Sequence, residues 1–268
     1  MCCIVEYVGA GYAGFQRQPG RITVQSVLEE TIEKVTQERV RVLASGRTDA
    51  GAHACGQVVA FDTRSALRTE VLGRALNATL PMDVSIISTQ EALPDFHPRF
   101  DATSRTYRYV IHNRRVRSPF WHGRSAHIGH HVDDNAMNQG AGHLVGTHDF
   151  GAFAPAALGG SHVRTIFDVR AHRHGDLVMT DVRANGFMRQ MVRSIMGTLV
   201  EVGTGRALPG VVGSVLSSRD RSQAGNSLPA CGLYLIEVHY APDTMFGPPA
   251  VIDPDVPFVP VHGTEERE

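Results

Sequence analysis

Hydrophobic residues along this chain keep two periods, and the switches between them mark out its elements. An apolar run at 3–7 predicts a strand, whereas Val24, Val27, Leu28, Ile32 and Val35 recur at helical spacing and predict a helix over 24–38. Runs rich in β-branched residues at 40–44 and 57–61 predict two further strands with a glycine-bearing loop between them. A second helix is expected over 67–80, stopped by Pro81, and then a strand over 84–88. Farther on come a strand over 106–112, a helix near 133–145 and a hairpin pivoting on His174, Gly175 and Asp176. Met188, Met191, Val192, Ile195 and Leu199 form the buried stripe of a helix over 187–202, which is followed by a shorter helix near 208–216 and a last strand over 233–240. Helices alternate with strands, yet hairpins occur. The predicted fold is therefore α+β, with a mixed, largely antiparallel sheet flanked by helices rather than a doubly wound parallel one. The elements fall into two α/β halves, 1–100 and 101–242. The tail over 243–268 turns proline-rich and then charged, and is expected to be poorly ordered.

Composition narrows the classes. The chain is 42% hydrophobic but has no apolar run long enough to span a membrane, and it shows no secretory leader pattern. Cys2, Cys3, Cys55 and Cys231 have no C-x-x-C spacing, so neither a zinc knuckle nor a disulfide framework is indicated and a reducing cytoplasm is the expected compartment. His127, His130 and His131 cluster without an acidic or cysteine partner at ligand spacing, so no metal is expected. A formal net charge of −1 argues against a protein that coats nucleic acid. The distribution says more than the sum. Between His97 and His131 stand Arg99, Arg105, Arg108, Arg114, Arg115, Arg117 and Arg124 against one acidic residue, Asp101, which makes the middle of the chain a phosphate-contacting candidate. Any one of these arginines is as readily a solvated surface group.

Two motifs compete for the chemistry. Gly9, Gly11 and Gly14 satisfy G-x-G-x-x-G after an apolar strand, the outline of a dinucleotide-binding turn. Pro19 and Gly20 would stop the required helix within two turns, so this stretch reads as a flexible loop and no nucleotide cofactor is expected. The other motif is Gly46-Arg47-Thr48-Asp49-Ala50-Gly51-Ala52-His53, held between two predicted strands. Its glycines would let a short loop present one side chain outward, and Asp49 is that side chain. Arg47 would favour the ionised carboxylate and orient it, and His53 would buttress the loop. A solvated Arg–Asp turn pair is the plainer reading of such a loop taken alone.

The octapeptide closely resembles the active-site motif of the tRNA pseudouridine synthase A family, written G-R-T-D-A-G-V-H-A, with Ala52 in place of valine. The resemblance continues in order through Gly14 to Pro19, Phe96 to Phe100, Arg105 to Tyr109, Gly146 to Phe150, Asn185 to Arg193, and Pro229 to Leu235. Val8 departs from it, standing where the family commonly has an acidic residue. The resemblance implies the pseudouridine synthase fold, two ferredoxin-like halves sharing one sheet with a catalytic cleft between them, and a homodimer acting on tRNA uridines at positions 38 to 40 of the anticodon stem-loop. It implies Asp49 as nucleophile and Tyr107 against the target base, with Arg47 and Arg189 completing the catalytic set and Arg189 pairing with Asp49 or a phosphate. Arg17, Arg105 and Arg193 become substrate-binding candidates for the RNA backbone, and Tyr109 stays a core aromatic. Neither cofactor nor metal is called for, because the reaction changes no redox state. A noncatalytic RNA-binding protein is the competing class. A hydrolase or phosphotransferase would need a second carboxylate, for which Asp101 and Asp149 are the available residues.

Overall fold

A computed structural model describes residues 1–155 and 160–241. The tail predicted over 243–268 lies outside the described residues. Ten strands form one sheet: β1 (Cys2–Tyr7), β2 (Leu43–Ala44), β3 (His53–Ala60), β4 (Val84–Gln90), β5 (Ala102–His112), β6 (Ala126–His127), β7 (Gly146–Asp149), β8 (Val163–His174), β9 (Leu177–Ala184) and β10 (Leu233–Tyr240). Their spatial order is β4-β1-β3-β10-β5-β9-β8-β7, with β2 added to β3 and β6 to β5. Among the described residues, only β10 on β3 and β6 on β5 run parallel. The chain is thus α+β with a mixed, mainly antiparallel sheet, as the alternation of periods indicates.

β10 is the keystone. It is the last strand in sequence, yet it inserts between β3 and β5, pairing Tyr234 with His53 on one side and Leu235 with Tyr107 on the other. The four strands before residue 100 and the five that follow it are thereby joined into one surface.

Among the described residues five α-helices cover the sheet: α1 (Val24–Thr36), α2 (Thr69–Asn77), α3 (Asp134–Ala141), α4 (Met191–Gly203) and α5 (Val211–Ser218). Their buried apolar side chains join one large cluster with Tyr107, Tyr109 and Ile111 of β5 and Val178 and Val182 of β9. The alternate residues Val110, Leu177, Met179 and Tyr234 belong to a smaller cluster, as the period-2 geometry of strands requires. Among the described residues no helix is long and apolar enough to cross a membrane.

Boundaries shift for local reasons. α1 begins at Val24 because the Thr23 side chain accepts from the Ser26 amide while Ser26 returns a bond to Thr23, a reciprocal cap. α4 begins at Met191 rather than at 187, because Gln190 sits at φ 60°, outside helical geometry. Arg189 therefore precedes the helix. The hairpin turns at Gly175, φ 56°, where sequence places it. The short strands β6 and β7 lack the alternation that would announce them.

Candidate active site

The loop 46–52 is tied down at both ends and at its middle. At its entrance, buried Gln57 donates to Gly46 O at 2.9 Å and accepts from Ser45 Oγ at 2.7 Å. Thr48 Oγ1 shares a 2.8 Å hydrogen bond with the buried Tyr7 hydroxyl, and Thr48 O accepts from the Phe15 amide. Gly51, at φ 83°, lets the chain reverse, and the Ala52 amide donates to Asp49 O. At the exit Gly9 lies so close that a Cβ there would fall 1.8 Å from Ala52 O, so only glycine fits. The segment that mimics a dinucleotide turn is therefore a 3₁₀ turn at Gly9–Gly11 and a strap over the Asp49 loop, not a free loop.

Asp49 faces the first turn of α4. Its Oδ2 accepts from Arg193 Nη1 at 2.9 Å, and the two side chains keep 23% and 17% of their surface exposed, so the carboxylate is partnered yet reachable. Arg193 is itself fixed, since its Nε donates to Leu228 O at 2.7 Å. The assignments of Arg47 and Arg189 to this partnership are corrected: both are exposed, and the ion pair is with Arg193. α4 starts after Arg189, which turns that residue off the helix face, whereas Arg193 is in its first turn. A cation there opposes the helix dipole and needs an anion. Sequence periodicity hides that signal, because it starts the helix at 187 and so puts Arg189 in the first turn.

Tyr107 lies on β5 at 7% exposure, edge-on to Phe187 with ring centroids 4.9 Å apart, and its hydroxyl is 3.7 Å from where a Cβ on Gly46 would lie. Burial pushes its phenol up to about 12, with the Asp49 charge adding to the rise against the lowering effect of Arg105. Tyr107 is thus a neutral phenol at ordinary pH, able to stack and to donate a hydrogen bond.

Two of the other arginines are engaged inside the fold. Arg105 is buried and donates to Ser45 O, Arg99 O and Asn185 O, so it braces the loop entrance across the two halves and does not reach outward to a phosphate. Arg108 is 2% exposed and grips Asp181 through two bonds of 2.7 and 2.9 Å. Arg17 is half exposed and held by Glu29 at 2.9 Å. The exposed basic surface is instead the segment after β5, where Arg114, Arg115, Arg117 and Arg124 accompany Phe120, 80% exposed. This segment returns toward the strap, with Gly123 against Ala10 and Arg124 O accepting from the Tyr234 hydroxyl. The alternative carboxylates are engaged elsewhere: Asp101 caps the His97 amide, and Asp149, on the outermost strand, accepts from Gly151 and pairs with Arg219.

Comparison with known proteins places the chain in a family. The family described as tRNA pseudouridine synthase matches residues 3–101 and 141–241. A protein named tRNA pseudouridine synthase A from Geotalea daltonii is 43% identical over 238 residues, covering 88% of this chain and 98% of the relative. Its namesake from Pelobacter propionicus is 44% identical over 237 residues, covering 88% and 97%. The one from Acetivibrio thermocellus is 40% identical over 238 residues. The loop 46–52, with its carboxylate, falls inside the matched region, and so do β10 and the first turn of α4. The chain belongs to the tRNA pseudouridine synthase A family, whose members are isomerases.

Proposed function

We propose that this protein converts uridine to pseudouridine at positions 38 to 40 of the tRNA anticodon stem-loop, with Asp49 as the nucleophile, in the cytoplasm and as a homodimer. Residues 1–100 and 101–242 act as the two halves of its cleft. The reaction breaks N1–C1′, turns the freed uracil, joins C5 to C1′, and moves one proton from C5 to N1. Nothing is gained or lost, so neither a cofactor nor a metal is required. Asp49 can attack C1′ as glycosidase carboxylates do, or can take a sugar proton in an elimination; both need an ionised, reachable carboxylate. The observation that carries the reading is that carboxylate itself, partly open to solvent, held by Arg193 and fixed on a loop bonded at both ends.

Tyr107 lies beside it as a neutral ring on which an extruded uracil can stack, with the hydroxyl available to the C5 proton's path. Arg47 and Arg189, exposed at the rim, have phosphate contacts as their remaining task. The arginines of 114–124 extend that positive surface, and Phe120 offers an exposed ring to an unpaired base.

The test compares the native chain with Asp49→Asn on an unmodified tRNA transcript carrying uridines at 38 to 40, without metal or cofactor. Product from the native chain and none from a folded Asp49→Asn that still binds the RNA is the expected result. Equal turnover by both removes Asp49 from the chemistry. RNA binding with no product from either favours the noncatalytic class.

A further inference from the structure

Three segments converge on one imidazole at the exit of the Asp49 loop. The Gly9 amide donates to His53 Nδ1 at 3.0 Å, and His53 Nε2 lies 3.1 Å from Cys231 O. Because an amide donates to Nδ1, that nitrogen carries no proton; Nε2 carries it and donates to the Cys231 carbonyl. The ring is 1% exposed and stacks on Tyr234 of β10 with centroids 4.5 Å apart. Each contact belongs to a different part of the site. Gly9 presses on Ala52 O within the loop, and Ala230 of the Cys231 turn touches the Cβ position of Gly51. Leu228, two residues before that turn, supplies the carbonyl that fixes Arg193.

We propose that His53 is a positioning residue: as a neutral imidazole it locks the strap, the Asp49 loop and the 228–231 segment into the one arrangement in which Asp49 meets Arg193. The inference rests on the synthase reading above. The position cannot carry a charge and keep its bonds. A second ring proton on Nδ1 would face the Gly9 amide donor to donor. Around the ring, Tyr234 stacks from the sheet and Arg124 approaches from the segment after β5 and opposes a charge, while the backbone of Cys231 and Gly123 favours one; burial outweighs these two. Burial holds the imidazole below its ordinary value, and the Arg124 charge works in the same direction. Because the neutral form is the bound form, the lock is complete above the ordinary imidazole value of about 6.5 and is lost as pH falls through the lower folded value.

Three substitutions separate a lock from plain packing. In His53→Asn the side-chain oxygen sits near Nδ1 and can accept from Gly9; in His53→Gln the amide reaches toward Cys231 O and leaves the Gly9 amide unpaired; in His53→Leu both bonds go. His53→Leu should lower kcat about tenfold to a hundredfold with KM within about twofold, since misplacing a reacting group by about 1 Å costs on the order of a hundredfold. Asn should recover most of that loss, and Gln little of it. The native kcat profile should lose an acid limb in Asn, which has no proton to gain. Hydrogen exchange at the Gly9 amide gives a readout independent of turnover: protection kept in Asn and lost in Gln and Leu supports the lock. Equal kcat in Leu and native, or Gly9 protection that does not distinguish Asn from Gln, overturns it. If the native chain forms no pseudouridine, the synthase reading fails, and Gly9 exchange still decides the lock.

Discussion

Arg193 and Asp49 form a pair in which each side chain answers the other's problem. Arg193 lies in the first turn of α4, where the helix dipole disfavours a cation, and Asp49 stands on a turn inside the junction, where a carboxylate needs a counter-charge. Arg193→Ala should therefore cost stability as well as activity, about 1–2 kcal/mol by denaturant unfolding given that both groups retain some solvent, and its effect should be much smaller in an Asp49→Asn background. Additive losses in that double-mutant cycle would remove the pairing. Arg189→Ala and Arg47→Ala, at exposed positions, should leave the unfolding midpoint within about 0.5 kcal/mol, so that any loss appears in KM for RNA. An equal destabilisation by Arg189→Ala would undo the distinction. Asp49 stood out in sequence because glycines and a charge in a short loop are a local pattern. Gln57 and Tyr7 did not, and Arg105 stood out for a phosphate and not as a strut, since what makes these residues struts is the backbone carbonyls and hydroxyl they meet across the fold.

At the level of elements, α4 shows why a helix that reads as amphipathic is buried nearly all round. Its outer side is covered by the segment 224–228, which approaches so closely that a Cβ on Gly197 would fall 2.0 Å from Asn226 O. The same segment holds Arg193 through Leu228, whose amide donates back to Arg193 O. Gly197→Ala should thus push the segment off the helix, destabilising by about 1–3 kcal/mol as overpacking does, and carry Arg193 away from Asp49. Calorimetry and turnover together check this: an unchanged melting temperature with full activity would mean that the contact is soft. Periodicity found α1, α4 and the hairpin after His174, because each buries a regular stripe or turns on a glycine. It missed β6 and β7, too short to carry a period, and it began α4 early because the apolar Phe187 and Met188 precede a residue held at positive φ.

Across the whole molecule, aromatic phenols on both sides of β10 are largely withheld from water. The chain has six tyrosines, and in every one burial raises the phenol above its ordinary value, to about 12 for Tyr107 and beyond that for the other five. Tyr7 is on β1, Tyr107 and Tyr109 are on β5, and Tyr234 and Tyr240 begin and end the keystone region of β10. Their hydroxyls are committed to the fold: Tyr7 to Thr48, Tyr109 to Pro229 O and Tyr240 to Pro98 O. The sign of the linkage follows from the direction of these shifts. Above an ordinary phenol value of about 10 the unfolded chain gives up protons that the folded chain keeps, so stability is whole below that pH and falls as pH rises through the folded values. Tyr107 alone accounts for on the order of 2–3 kcal/mol over that window, comparable with a sizeable share of a domain's net stability. Alkaline titration should accordingly release the phenolate absorbance in one cooperative step that coincides with loss of the far-ultraviolet dichroism, because the sheet must open before its tyrosines can ionise. Phenolates appearing gradually near pH 10 while the dichroism persists would mean that water reaches these rings without the sheet unfolding.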